Sequence, residues 1–246
     1  STDTPALGGP LCPNGTLDPG EQCDADNLVD GDGCASNCTT TACGNGIATS
    51  GELCDDGNAA ADDGCENDCT RSPYALRSGK RLLVRDRGGD PSRRKLVFLS
   101  RDPALASPAA GSTGDPTSGG ARLTLARGLA ESDAIELPAS GWRGLGNPAG
   151  SNGWRYADPR RLNGPCKAAR LRAGLLRVAC TGEQIDFSLD ETAQSALTVT
   201  FESGASGPRL CTLFGGVVSR DSQAGPGVVG VFQAREAPAP MSCALP

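Results

Sequence analysis

Histidine is absent from all 246 residues. Its absence removes Ser-His-Asp triads, Cys-His dyads, zinc sites built on imidazole, and haem held by a proximal histidine. Aromatic residues number only nine, and Leu, Ile, Val and Phe together fill 43 positions. A chain this poor in large apolar side chains, with a net charge of only −6, must stabilise its small cores by other means. The longest apolar runs are four or five residues against the roughly 20 that cross a bilayer, so no membrane span is expected.

What the chain does have is 34 Gly, 18 Pro and 12 Cys. Cross-links stabilise domains that lack apolar surface, and they persist in oxidising compartments. The expected location is therefore extracellular or at a cell surface, with numbering that starts after removal of a signal peptide. Charge is divided unevenly: residues 1–70 hold 14 Asp/Glu and no Lys/Arg, and the remainder holds 15 acids against 23 bases. The two parts thus carry −14 and +8. Opposite patches on one chain predict head-to-tail self-association, acidic repeats to basic domain, which propagates into a filament unless it closes.

After an N-terminal extension, 1–11, an offset of 31 lays Cys12, Cys23, Cys34 and Cys38 over Cys43, Cys54, Cys65 and Cys69. Both sets are spaced C-x10-C-x10-C-x3-C, which defines two disulfide-rich repeats, 12–39 and 43–70. Matching pairs include Asn14/Asn45, Gly15/Gly46, Glu21/Glu52, Asp24/Asp55, Asn27/Asn58 and Asp32/Asp63. Neither unit has enough apolar surface to fold by burial. A disulfide closing 11 or 12 residues contributes on the order of 3 kcal/mol in the chain-entropy model, so two per unit can replace a core. Four cysteines allow three pairings, and the spacing does not choose among them.

The run CGNGIATSGELCDDGNAAADDGCENDC resembles the myxobacterial-type disulfide-rich repeat of secreted and surface proteins of bacteria. The first unit departs from it at Pro13 and at Ala25 and Asp26. The resemblance covers 12–70 and implies an extracellular spacer or recognition unit without catalytic residues. Independently, Asp24, Asn27 and Asp32, and likewise Asp55, Asn58 and Asp63, place hard oxygen donors in loops pinned by cysteine. Such donors suit Ca²⁺, which takes six to eight oxygens, so one calcium ion per repeat is expected, two sites in all. The competing reading is that Asp, Asn and Gly simply build turns. Zinc is disfavoured because the thiols should be oxidised and imidazole is absent.

From residue 72 the composition changes to short Leu- and Val-rich runs separated by Gly, Pro, Asp and Ser. Candidate strands are 81–85, 95–100, 122–127, 134–137, 167–172, 175–180, 185–189, 197–202, 209–214 and 228–233, with clear period-two alternation at 185–189 and 197–201. The fold expected for 72–246 is mainly β, an antiparallel sandwich or Greek-key barrel-like domain. A hairpin turning at Ala173-Gly174 sets Cys166 within one residue of lying across from Cys180 and predicts a bond there, which leaves Cys211 to pair with Cys243.

Chemistry is thinly signalled in this domain. Glu131, Asp133, Glu136, Asp186, Asp190, Glu191 and Glu202 could serve a carboxylate-type hydrolase, but none sits in a motif. Trp142 and Trp154 flank a glycine-rich excursion; they either stack on sugars, as in a lectin-like module, or pack over the end of the sandwich. Residues 77–101 hold nine bases with Phe98 as the sole aromatic, which fits a solvated sheet face or a dock for acidic repeats better than a nucleic-acid surface. The expected function is an exported, non-enzymatic structural or adhesive protein, with glycans as a further candidate partner.

Overall fold

The computed structural model describes residues 12–55, 57–58, 65–71, 73–190, 193–205, 207 and 209–243. The chain separates into two compact units at the 72/73 boundary. The expected extension 1–11 lies outside the described residues.

In the first unit the two repeats are stapled identically. Cys12 bonds Cys38 and Cys23 bonds Cys34; Cys43 bonds Cys69 and Cys54 bonds Cys65. Each repeat thus nests a loop of separation 11 inside one of separation 26. The hydrogen bonds recur at the same offset. Ala35 N–H donates to Thr39 O as Glu66 N–H does to Thr70 O, and Gln22 N–H to Cys38 O as Leu53 N–H does to Cys69 O. Among its described residues almost no regular structure forms, because the covalent links take over the work that a ladder and a core perform elsewhere.

The second unit contains thirteen strands among the described residues: β1 (Ala75–Leu76), β2 (Gly79–Arg87), β3 (Lys95–Ser100), β4 (Ala121–Arg127), β5 (Glu131–Leu137), β6 (Trp142–Gly144), β7 (Trp154–Ala157), β8 (Cys166–Arg172), β9 (Leu175–Thr181), β10 (Leu197–Ser203), β11 (Arg209–Phe214), β12 (Val217–Ser222) and β13 (Val229–Ala237). They form a five-stranded sheet, β1-β11-β10-β4-β5, and an eight-stranded sheet, β12-β13-β2-β3-β9-β8-β7-β6. Every pairing is antiparallel except β1 with β11. The arrangement is sandwich-like, with one core shared by the two sheets.

Period-two alternation decides which side chains enter that core. Across the large sheet Ala234, Leu82, Phe98, Val178, Ala169, Tyr156 and Trp142 stand opposite one another on successive strands, and all are buried. Leu210, Phe201, Leu123 and Ile135 form the facing row of the small sheet. Gly79 is required where β2 meets this core, since a Cβ there would lie 2.3 Å from the Phe214 ring. Cys180 bonds Cys166 within the core, and Cys211, on the other face of the small sheet, bonds Cys243 and ties the C-terminal tail to β11.

One expected strand is corrected. Residues 185–189 keep their alternation, with Ile185, Phe187 and Leu189 buried, but they join no ladder. Side-chain carboxylates satisfy the backbone instead. Asp133 Oδ2 accepts from the N–H of Asp186 (2.9 Å) and Phe187 (3.2 Å), and Asp86 Oδ2 accepts from Leu189 N–H at 3.0 Å. Arg94, paired with Asp86 at 2.9 Å, donates to the carbonyls of Ile185 and Asp186. Asp133 belongs to β5 and Asp86 to β2, so this strap joins the two sheets at one end of the sandwich. Strands β1, β6, β7 and β12 are additions to the expected set. The first three are only two to four residues long, and β12 is an edge strand whose residues are exposed or half-buried, so neither length nor alternation marks them.

Candidate functional site

On the outward face of the large sheet, the strand registers bring one residue type together repeatedly. Arg235 stands opposite Arg81, Arg81 opposite Leu99, Leu99 opposite Arg177, Arg177 opposite Arg170, Arg170 opposite Arg155, and Arg155 opposite Arg143. Six arginines therefore lie in one row across seven adjacent strands, interrupted only by Leu99. All six are exposed. Each alternates with a core residue on its own strand, as in Trp154-Arg155-Tyr156 and Leu176-Arg177-Val178, so burial of the neighbours forces the guanidinium into solvent.

A second outward row runs parallel two residues along each strand: Gln233, Leu83, Val97, Ala179, Ala168 and Ala157. Apart from Gln233 it is apolar. Between the rows lies a trough of about 760 Å³ whose lining includes Arg81, Arg101, Arg155, Arg170 and Arg177 beside Val97, Leu99, Ala168, Leu175 and Ala179. Neither row contains Asp or Glu. Among the described residues no ion pair engages any of the six arginines; the pairs that form are Lys80–Glu236, Arg94–Asp86, Arg122–Glu136, Arg127–Glu131 and Arg209–Glu202. Like charges set directly opposite in a sheet oppose its folding. The row thus holds positive charge that the domain itself does not neutralise.

Only Arg81 of this row belongs to the basic run 77–101 that stands out in the sequence. Within that run Arg94 turns inward to Asp86 and Lys80 bonds Glu236. The other five arginines are scattered between 143 and 235; the signal that could have found them is a single Arg beside buried residues on each of several strands.

In the repeats, the polar residues that match at the 31-residue offset are organised around backbone amides. Asp24 accepts from the N–H groups of Asn14, Gly15 and Asp26 at 2.8–3.0 Å. Asp55 accepts from Gly44, Asn45, Gly46 and Gly57 at 2.8–3.2 Å. Pro13, which replaces Gly44, has no N–H to give, so the first cradle is one donor short. Asp26 occupies the place of Gly57 with the same left-handed backbone, φ 56° against 77°. The N–H of Asn14 and then that of Asp26 hold the Asp24 carboxyl below its ordinary range. Burial works to raise that of Asp55, but the N–H groups of Gly57, Gly46, Gly44 and Asn45 outweigh it and leave a net lowering. Glu21 and Glu52 accept from Asp18 and Thr49 N–H in the same way.

A family model described as a domain of unknown function, DUF4215, matches residues 36–70. No curated protein matches the chain, and no solved structure does. The DUF4215 segment spans the whole second repeat and the end of the first, which marks it as a cysteine-rich repeat segment.

Calcium needs six to eight oxygens turned toward one point. In the first repeat, Asn27 and Asp32 do meet, Nδ2 to Oδ2 at 3.0 Å, but the Asn27 carbonyl accepts from Val29 N–H and Asp32 Oδ1 from Cys34 N–H. With Asp24 turned onto its own amide cradle, these residues as folded do not fit the ion. In the DUF4215 segment Asp55 repeats the Asp24 arrangement, Asn58 is engaged, and Asp63 lies outside the described residues. Among the described residues, the acid-and-sulfur groups close enough to share an ion are Cys12-Glu21-Cys38 and Glu52-Asp55-Cys69, and their sulfurs are disulfide-bonded.

The carboxylates considered for hydrolysis are separately engaged. Asp133 and Glu131 hold the strap amides, Glu136 pairs with Arg122, Glu202 accepts from Tyr74 Oη at 2.8 Å and Arg209, and Asp190 accepts from Ser188 Oγ. Asp186 enters the strap through its backbone, and Glu191 lies outside the described residues. The two tryptophans face inward: Trp142 donates Nε1–H to Leu137 O at 3.0 Å and Trp154 to Pro108 O at 3.1 Å, both buried. Of the two expected alternatives they take the packed one and offer no sugar-stacking platform.

Proposed function

We propose that this chain is an exported, non-catalytic structural or adhesive protein whose β-domain docks onto anionic partners through the arginine face of its large sheet. The observation that carries the reading is the row of six exposed arginines, none of which is held in an ion pair among the described residues. A sheet that tolerates this repulsion unbound gains by covering it with negative charge. The nested disulfides, and the resemblance of 12–70 to repeats of secreted and surface proteins, support an extracellular setting for that role. A resident calcium ion is not part of the proposal, because the first-repeat donors are turned elsewhere.

The test exploits the mismatch between whole and part. The protein is acidic overall, −6 at neutral pH, and a matrix bearing carboxylates should repel it. The arginine face predicts retention at pH 7 in low salt, elution by moderate salt, and flow-through of an Arg170→Glu/Arg177→Glu variant. Flow-through of the unaltered protein would sink the reading. A second reading is favoured by the division of charge into −14 and +8: the acidic repeats of one copy occupy the arginine face of the next. Salt-sensitive sedimentation of the protein alone reports on it.

A further inference from the structure

We infer that the occupant of the arginine row is an extended acidic polysaccharide, a linear chain of uronic-acid type, laid across the strands. The inference rests on the docking reading above and names the chemistry of the partner. Arginine positions recur at the inter-strand step of about 4.8 Å, with one step taken by Leu99, and the row runs for roughly 29 Å over six such steps. A linear rail of this kind, broken once at Leu99, matches a linear polymer with a repeated anion. The planar fork of arginine fits a carboxylate in bidentate fashion, which a lysine rail would not.

The parallel row supplies the second half of the match. Val97, Ala179 and Ala168 form a small apolar rail directly beside the cationic one, and the trough between them is concave. A uronic-acid unit carries its carboxylate on one edge and presents C–H groups on the face of its ring. It therefore sets charge on the arginines and apolar surface on the alanines at once. Nucleic acid fits less well, because neither row offers an aromatic ring on which bases could stack. The acidic repeats of another copy fit less well too, because Asp24, Asp55, Asp32, Glu21 and Glu52 are folded back onto their own backbone rather than presented in a line.

The experiment is titration of the full chain with size-defined polygalacturonate and with neutral dextran, by calorimetry at low and at moderate salt. Sedimentation of the protein alone, a single-stranded oligonucleotide and anionic lipid vesicles serve as parallel arms. The expected result is saturable binding to polygalacturonate, none to dextran, and a loss of at least tenfold in Arg170→Glu/Arg177→Glu with a shallower salt dependence. The neutral variant Arg143→Gln/Arg155→Gln, checked for an unchanged thermal melt, should lose less but in the same direction. Arg122→Gln, on the other sheet, should bind normally. Row-dependent binding to another copy, to the oligonucleotide or to vesicles, without binding to polygalacturonate, would overturn the polysaccharide and leave the docking face standing. Polyanion binding indifferent to both row variants, or none at all, would overturn both.

Discussion

Arg170 stands directly between Arg177 and Arg155, so replacing it with glutamate changes two like-charge contacts into two opposite-charge ones. At about 5 Å in bulk water each repulsion is worth about 0.8 kcal/mol, and at 0.15 M salt, where the Debye length is about 8 Å, roughly half of that survives. Exposed pairs of opposite charge return about 0.2–1 kcal/mol each once side-chain entropy is counted. Arg170→Glu should therefore stabilise the unliganded β-domain by about 2–4 kcal/mol at low salt and by about half as much at physiological salt. At about 2–4 °C per kcal/mol, the melting temperature should rise by roughly 4–16 °C in low salt. Paired thermal melts of the two proteins at 10 and 300 mM NaCl measure it. The same change that stabilises the fold should weaken polyanion binding. A destabilised variant, or a gain that does not shrink with salt, would show that the row is not under electrostatic strain and would remove the physical basis of the docking face.

Cys54→Ser/Cys65→Ser opens the inner loop of the second repeat, of separation 11, and should remove about 3 kcal/mol from that unit. Protease cutting should then appear within 43–70 while the β-domain stays intact, a pattern readable by mass spectrometry. Asp55 titrates below its unfolded value of 3.8, so its contribution is present above that pH and lost as pH falls through the folded value. Asp55→Asn should blunt the acid sensitivity of the second repeat in hydrogen exchange, and added calcium should not restore the lost protection. Asp133 is the opposite case: burial outweighs the N–H bonds from Phe187 and Asp186, which lower it, and together with the nearby Asp186 charge pushes its carboxyl up. Its contribution is complete below 3.8 and declines as pH rises through the folded value, so Asp133→Asn should be near neutral at pH 3.5 and stabilising at pH 7. A variant that is less stable at pH 7 than at pH 3.5, relative to the parent, would contradict that assignment.

Local properties were legible in the residues themselves. The 31-residue offset, the dearth of apolar side chains and the count of twelve cysteines determine that the opening units are held by sulfur, because no other stabilising term is large enough there. Alternation determined the β class of the remainder and most of its strands, because burial on one face of a sheet imposes a period of two. Alternation alone could not tell a ladder from the strap at 185–189. Both bury every second residue, and the difference lies in whether a strand or the carboxylates of Asp86 and Asp133 take up the amides.

Connection between distant positions was decided only in the folded chain. Three pairings were open in each repeat, and the nested one emerges when Cys12 meets Cys38 around the closed loop of Cys23 and Cys34. The candidate site is the clearest case. Arg81 and Arg235 are far apart along the chain, and Arg143, Arg155, Arg170 and Arg177 lie on four further strands, each an ordinary exposed residue in its own segment. Strand order and register put them in one line, and a slip of a single residue on any strand would turn its arginine into the core. Register is set by the packing of all the inward rows together, which is why no single stretch of sequence contains the arginine face.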